Sequence, residues 1–421
     1  MGLVCRFNHL RLTGSLLALT LACLLQAQAP IDGKVKAEVL GRIGAIISRR
    51  AFVPGVDFGK WPEFLKEEKA DIDAAKSEEE FQTAVNQALH KFGASHVLLM
   101  TPHIDQVRRT GKTVGIGIGA RVVPEGLLVS RVYRDAPAAK AGISQGDVIV
   151  AIDGKPIDGL RGLKGDEGTD VSVKVLHPDG KAAEYKLTRQ SYKTVWPPEL
   201  SWIDKDTACL RIYAFDTGYD RNLVEELVDE AQDAKNLILD LRGNGGGAVS
   251  NLQHLLGMLI PKGRPLGCFI DRSTVARYVQ DTGGKSTDLA AIAQWSNDKF
   301  VPIFRDDRPF FAGNVAVLVN RFSGSASEIG ASALHDVLGA PVIGSKTAGA
   351  VLASTIVPAT NDFAIQIPIE DYITIKGVRL EGAGVVPDID APDASVAPRD
   401  SKDPAIEKAC FYFTQMSKGS R

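Results

Sequence analysis

Residues Asn314 to Gly330 read NVAVLVNRFSGSASEIG. The first seven residues form a short, β-branched apolar run and predict a strand buried on both faces. From Ser327 onward, SEIGASALHDVLG has the composition and periodicity of a helix. Ser325 therefore stands where a strand turns into a helix. Ser325-Ala326-Ser327-Glu328 fits the capping box, in which a serine opens a helix and a glutamate three residues on reaches back to it. The same position suits a nucleophile. Gly324 and Ala326 leave room for a substrate carbonyl, and the free N–H groups of a helix start stabilise an oxyanion there. The two roles are compatible.

Upstream, NLILDLRGNGGG (Asn236 to Gly247) is a second buried strand running into a glycine loop. That loop is a tight turn, a source of exposed N–H groups for an oxyanion, or both. It lacks the lysine and spacing of a phosphate loop, and no dinucleotide fingerprint follows it. Between and around these segments, strands alternate with helices: ACLRIYAF, RNLVEELVDEAQDA, then PVIG after the helix. Strand–loop–helix repetition predicts an α/β core with a central sheet over 193–400 and a helical tail over 401–421. Its loops are where chemistry would sit.

The segment 105–192 differs. Short β-rich runs alternate with glycine and proline turns, and His177 to Gly180 (HPDG) is a hairpin turn between DVSVKVL and AEYKLT. Before it, 30–104 reads as helical, with Val39, Ile43, Ile46 and Ile47 on one face and Ser77 as an N-cap. Residues 1–29 read as an export signal. Arg6 and Arg11 precede the apolar stretch Leu16 to Leu25, and Ala27 to Ala29 gives a small-x-small cleavage site. Cys23 offers a lipoprotein alternative, but Thr20 makes a poor lipobox. The fold class expected is thus a multidomain α+β chain, exported, with no stable membrane insertion.

Composition excludes other classes. The 421 residues are 44% hydrophobic and 24% charged with a net charge of -2, so no nucleic-acid partner is expected. Cys209, Cys268 and Cys410 remain after the leader, too few and too widely spaced for a disulfide framework or a metal cluster. No cofactor and no metal are expected. Histidine chemistry must draw on His90, His96, His103, His177, His254 or His335.

LILDLRGNGGG and VAVLVNRFSGSASEIGASALHD together resemble the core of the C-terminal processing (tail-specific) serine peptidases and the related tricorn peptidases. The resemblance spans nearly all of the mature chain and implies a ClpP/crotonase-like core with Ser325 as nucleophile. One departure matters. The Ser–Lys branch carries its lysine in a T-x-G-K-G segment; here that segment reads SKTAGAV, Ser345 to Val351, with Ala350 at the lysine position. Lys346 stands four residues early. The tricorn-like branch instead takes a histidine from a Ser-His pair ahead of the PDZ domain and a glutamate from a Glu-x-x-Gly-Val-x-Pro-Asp segment. GASHVLLM and LEGAGVVPD match it. The resemblance so implies His96 as base, and Ser95 with Glu381 as the relay that orients it. Glu370 or Asp371 could compete for the acidic place, and Asp336 matches an acidic residue of the Ser–Lys branch. Ala326, with Gly245 or Gly246, would hold the oxyanion.

The β-rich module resembles a PDZ domain. Gly115, Ile116, Gly117 and Ile118 match the loop and strand that receive a peptide C-terminus, with Ile116 and Ile118 lining an apolar pocket. AAKAGISQGDVIVAIDG resembles the helix and turn completing the groove. The resulting expectation is an exported serine endopeptidase acting on unfolded or C-terminally exposed polypeptides. The alternative is a catalytically idle ligand- or peptide-binding protein on the same scaffold.

Overall fold

The computed structural model describes residues 31–157, 161–163, 165–304, 308–392 and 403–419. The expected export signal, 1–29, lies outside the described residues. Among these, no helix is long and apolar enough to cross a membrane.

The N-terminal segment holds α1 (Gly33–Arg50), α2 (Trp61–Glu67), α3 (Lys69–Ala74) and α4 (Glu78–His90), followed by β1 (Leu98–Met100) and α5 (Pro102–Thr110). Asp32 and Ser77 cap α1 and α4 through their side chains, satisfying N–H groups a helix start leaves open. The apolar stripe Val39, Ile43, Ile46 and Ile47 is buried as its spacing requires, against Phe81, Val85 and Leu89 of α4.

The β-rich module follows: β2 (Lys112–Gly115), β3 (Ile118–Val123), β4 (Gly126–Val132), α6 (Pro137–Lys140), β5 (Val148–Ile152), β6 (Lys155–Pro156), β7 (Asp170–Leu176), β8 (Ala182–Thr188) and β9 (Gln190–Lys193). Its main sheet runs β3-β4-β5-β7-β8, leaving β3 at an edge. Alternating Val171, Val173 and Val175 point into its core with Leu127, Val129 and Ile149. The HPDG turn forms as expected, with the His177 N–H on the Lys181 carbonyl at 2.8 Å. The module touches the core through Arg134, which donates to Glu199 at 2.9 Å and stacks 5.0 Å above the Trp196 ring.

The core comprises β10 (Glu199–Asp204), β11 (Thr207–Arg211), α7 (Arg221–Glu230), β12 (Asn236–Asp240), α8 (Val249–Gly257), β13 (Gly267–Asp271), α9 (Arg272–Thr282), α10 (Leu289–Trp295), β14 (Asn314–Val319), α11 (Ala326–Leu338), β15 (Val342–Gly344), β16 (Ala353–Pro358), β17 (Ala364–Thr374), β18 (Ile389–Asp390) and the tail helix α12 (Pro404–Gly419). Its six-stranded sheet has the order β10-β11-β12-β14-β15-β18, parallel from β11 onward. The near-continuous apolar runs of β11, β12 and β14 follow from burial on both faces. Leu210, Leu237, Leu239, Val317 and Val319 face α7, α8 and α11. Their neighbours Cys209, Ile238, Ala316 and Leu318 face the other way, onto Ala405, Ala409 and Phe413 of α12. Truncating one of these, Leu239→Ala for example, would cost about 2–5 kcal/mol.

A second, antiparallel sheet is organised by β17, which pairs with β1, β13 and β16. Leu352, Val357, Phe363, Ile365 and Ile367 belong to the same apolar cluster as α1 and α4. The helices of the N-terminal segment therefore share their core with the β16–β17 hairpin, over which they close. Two consequences position the site. The loops after β12, β14 and β15 leave the carboxyl edge of the parallel sheet together, where open α/β sheets bind ligands. And the turn between α4 and β1 is carried to that edge by the pairing of β1 with β17.

Candidate active site

The turn from β14 to α11 puts Ser325 at φ 52°, ψ -119°, a region that a residue with a Cβ rarely occupies and that persists only where surroundings enforce it. The enforcing group is Glu328, fully buried. Its Oε2 accepts the N–H groups of Ser325 and Ala350, each at 3.0 Å; its Oε1 accepts Thr347 Oγ1 at 2.5 Å and the Gly349 N–H at 2.7 Å. The capping box expected at Ser325 is present, and its glutamate does more than cap. It binds the loop after β15 to the serine turn.

The glycine loop packs directly on this turn. Gly246 has φ +102°, and a Cβ there would lie 2.6 Å from Ser325 Cβ and 3.0 Å from the Ala326 nitrogen. Only glycine allows so close an approach. Asn244 organises the loop: Nδ2 donates to the Ile212 carbonyl and Oδ1 accepts the Gly246 N–H, both at 2.9 Å. The Asn244 carbonyl accepts Ser327 Oγ at 2.9 Å and the Gly324 N–H at 3.0 Å. Of the three residues expected to offer oxyanion donors, Gly246 thus has its N–H engaged within the loop. The N–H groups of Gly245 and Ala326 have no acceptor among the described residues.

Ser95 and His96 lie between α4 and β1, and His96 adopts φ 58°. Glu381, 286 positions further on, accepts the Ser95 N–H and the Ser95 hydroxyl, each at 2.9 Å. Ser95 Oγ is also 2.7 Å from His96 Nδ1. A hydroxyl has one proton, and a carboxylate only accepts. With that proton on Glu381, Ser95 Oγ must accept from Nδ1–H, so the lone pair of the neutral ring sits on Nε2. Nε2 has no hydrogen-bond partner among the described residues. Burial lowers the His96 pKa below its ordinary value of 6.5, outweighing the opposing pull of Glu381, so the ring is neutral at pH 7.

The relay and the serine hang from one dipeptide. The Ala350 carbonyl accepts the Ser325 N–H at 2.8 Å, and the next N–H, of Val351, donates to Glu381 Oε2 at 2.8 Å. No hydrogen bond joins the Ser325 hydroxyl to His96 itself.

Other candidates have no hydrogen bond to this relay among the described residues. Lys346 is exposed, whereas the next residue, Thr347, is buried. Asp371 pairs with Arg379 at 2.7 Å, and Asp336 with Lys376 at 3.1 Å. In the β-rich module, Ile116 packs inside the core rather than lining a pocket, its carbonyl accepting the Ala138 N–H at 2.8 Å. Ile118 starts the edge strand β3 half-buried, after β2 ends at Gly115 and Ile116 turns inward. The completing helix, α6, is only four residues long. Sequence reasoning missed the organising parts of Glu328 and Asn244. The glutamate of the capping box was the available signal for the first; nothing in the glycine loop marks Asn244 as its keystone.

Residues 206–391 match peptidase family S41, and residues 114–188 match the PDZ domain. The chain is 29% identical over 350 residues to carboxyl-terminal-processing peptidase 1, chloroplastic, of Arabidopsis thaliana, covering 78% of this chain and 66% of the relative. It is 28% identical over 287 residues to a carboxy-terminal-processing protease of Bartonella bacilliformis, covering 65% and 60%. The chain thus spans about two thirds or less of the length of these relatives. In fold it resembles the photosystem II D1 C-terminal processing protease, with a TM-score of 0.52 at 22% identity, covering 90% of this chain and 97% of that one. A region similar to peptidase family S41 and a region similar to the PDZ domain are therefore joined in this chain.

Proposed function

We propose that the S41 domain hydrolyses peptide bonds through an acyl-enzyme, with Ser325 as nucleophile and His96 as general base. Ser325 Oγ attacks the scissile carbonyl as its proton passes to His96 Nε2. The oxyanion that forms is held by the N–H groups of Ala326 and Gly245. His96 then returns the proton to the leaving amine, the C–N bond breaks, and water repeats the sequence to release the acyl group. Ser95 and Glu381 hold the Nδ1–H tautomer and steady the imidazolium.

The observation that carries this reading is the Glu381–Ser95–His96 chain of hydrogen bonds, which leaves Nε2 as the one unengaged nitrogen. The Ala350 position supports histidine over lysine as the base. Substrates are polypeptides, taken unfolded or by an exposed C-terminus that adds to the free edge of β3. The leader composition of residues 1–29 supports action after export.

The missing hydrogen bond between Ser325 and His96 favours a second reading, a binding protein on this scaffold. In unliganded enzymes such bonds are often long and tighten only with substrate. Labelling by a serine-reactive fluorophosphonate separates the two. Label on the wild type, lost in Ser325→Ala and His96→Ala, is expected. A folded wild type that takes no label overturns the peptidase in favour of the binder.

A further inference from the structure

The oxyanion loop is built from residues that resist order. Gly243, Gly246 and Gly247 all have positive φ, and glycine loses more conformational freedom on folding than any other residue. Such a loop must be held from outside. At its far end the Phe215 N–H donates to the Gly246 carbonyl and the Ala248 N–H to the Phe215 carbonyl, both at 2.8 Å. At its middle, Asn244 serves. At its root stands Arg242, only 7% exposed.

The Arg242 guanidinium grips two carboxylates. Nε and Nη2 donate to Asp240, at the end of β12, at 2.9 and 2.7 Å. Nη1 and Nη2 reach Asp403 Oδ1 and Oδ2 at 2.9 and 2.7 Å. Asp403 is the residue before α12, and its Oδ1 also accepts the N–H groups of Ala405 and Ile406 at 3.0 and 3.4 Å. The carboxylate that starts the tail helix therefore clamps the residue next to Gly243. Paired carboxylates around one planar fork fix its plane as well as its place.

We infer that Asp403 is a positioning residue for the peptidase: through Arg242 it sets the glycine loop, and so the Gly245 N–H, against Ser325. This rests on the assignment of Gly245 to the oxyanion. A purely structural role, anchoring α12 to the sheet, is the competing account, and Asp403→Asn separates them. Asparagine caps a helix about as well as aspartate, so α12 keeps its start, while Arg242 loses the Asp403 carboxylate charge that faces it and keeps Asp240 as its partner.

The test uses the full chain, with fluorescein-labelled casein as an unfolded substrate and a fluorophosphonate as the acylation probe. Asp403→Asn is expected to lower kcat and the fluorophosphonate inactivation rate together by about tenfold, since a misplaced donor costs transition-state stabilisation. KM and the circular dichroism spectrum stay those of the wild type. Should that variant not fold, Asp403→Ser, also a good cap, carries the same expectation. An active wild type with a folded variant of unchanged kcat, or with its whole loss in KM, overturns the inference alone. Failure of both variants to fold overturns it too, because the pair then serves the fold rather than the loop. A wild type inert to both probes sinks the peptidase reading first, and this inference with it.

Discussion

His96 and His254 have the same kinds of neighbour. At His254, Nδ1 is 2.9 Å from the Tyr219 hydroxyl and Nε2 is 3.0 Å from Glu225 Oε1. At His96, Nδ1 is 2.7 Å from the Ser95 hydroxyl, and the glutamate stands behind that hydroxyl rather than on the ring. His254 therefore has both nitrogens engaged, while His96 keeps one. A hydroxyl, an imidazole and a carboxylate in one cluster do not make a base; the order in which they are strung does. His177, held between Asp147 at 2.9 Å and Tyr185 at 3.0 Å, repeats the closed arrangement inside the PDZ domain.

The comparison breaks most sharply at the ends of the open chain. Ser325→Ala and His96→Ala are each expected to lower kcat by about 10³-fold or more, measured on labelled casein, while folding stays intact. Residual activity within tenfold of wild type in His96→Ala would make another group the base. Ser95→Ala and Glu381→Gln, which leave the ring but loosen its tautomer, should lose about 10²-fold, mostly in kcat.

Acidity sharpens the contrast next. Burial depresses the His96 pKa, and the proposed base works only when neutral. The pH–rate profile should therefore fall on acidification with an inflection below the ordinary value of about 6.5, and stay flat above it. Stability follows the same sign. The unfolded chain binds this proton more tightly, so stability drops as the pH falls below about 6.5 and stops dropping once it is under the folded value. A rate that keeps climbing into the alkaline range would point to an amine.

His254→Ala should invert the pattern: kcat within about threefold of wild type, with about 1–3 kcal/mol lost in unfolding experiments, because Glu225 and Tyr219 are left buried with a partner gone. Smallest of all, Lys346→Ala should change the rate by less than about twofold, since that side chain is exposed.

Local features were the legible ones. The strand-to-helix turn at Ser325, the HPDG hairpin and the stripe Val39, Ile43, Ile46 and Ile47 follow from periodicity and turn chemistry, which act over a few residues. The meeting of Ser95 with Glu381 could be anticipated only by resemblance, because no local rule relates positions so far apart. Asp403 on Arg242 left no trace in the sequence, and Glu328 on Thr347, Gly349 and Ala350 showed itself only as a capping-box glutamate. An acidic residue at a helix start has an ordinary explanation, and that explanation conceals its second partner. What the N-terminal helices pack against was hidden for a related reason. An amphipathic helix declares that it has an apolar face, not what covers it, and here the cover is β17.

That cover has a consequence for how the protein is made. The turn bearing His96 is fixed by β1, and β1 has nothing to pair with until β17 has been synthesised; its glutamate comes later still, 286 positions after Ser95. A ribosome-bound chain thus carries its Ser95–His96 pair through most of its synthesis without the carboxylate that orients it. On the proposed reading, the relay behind the imidazole is complete only once Glu381 has been made.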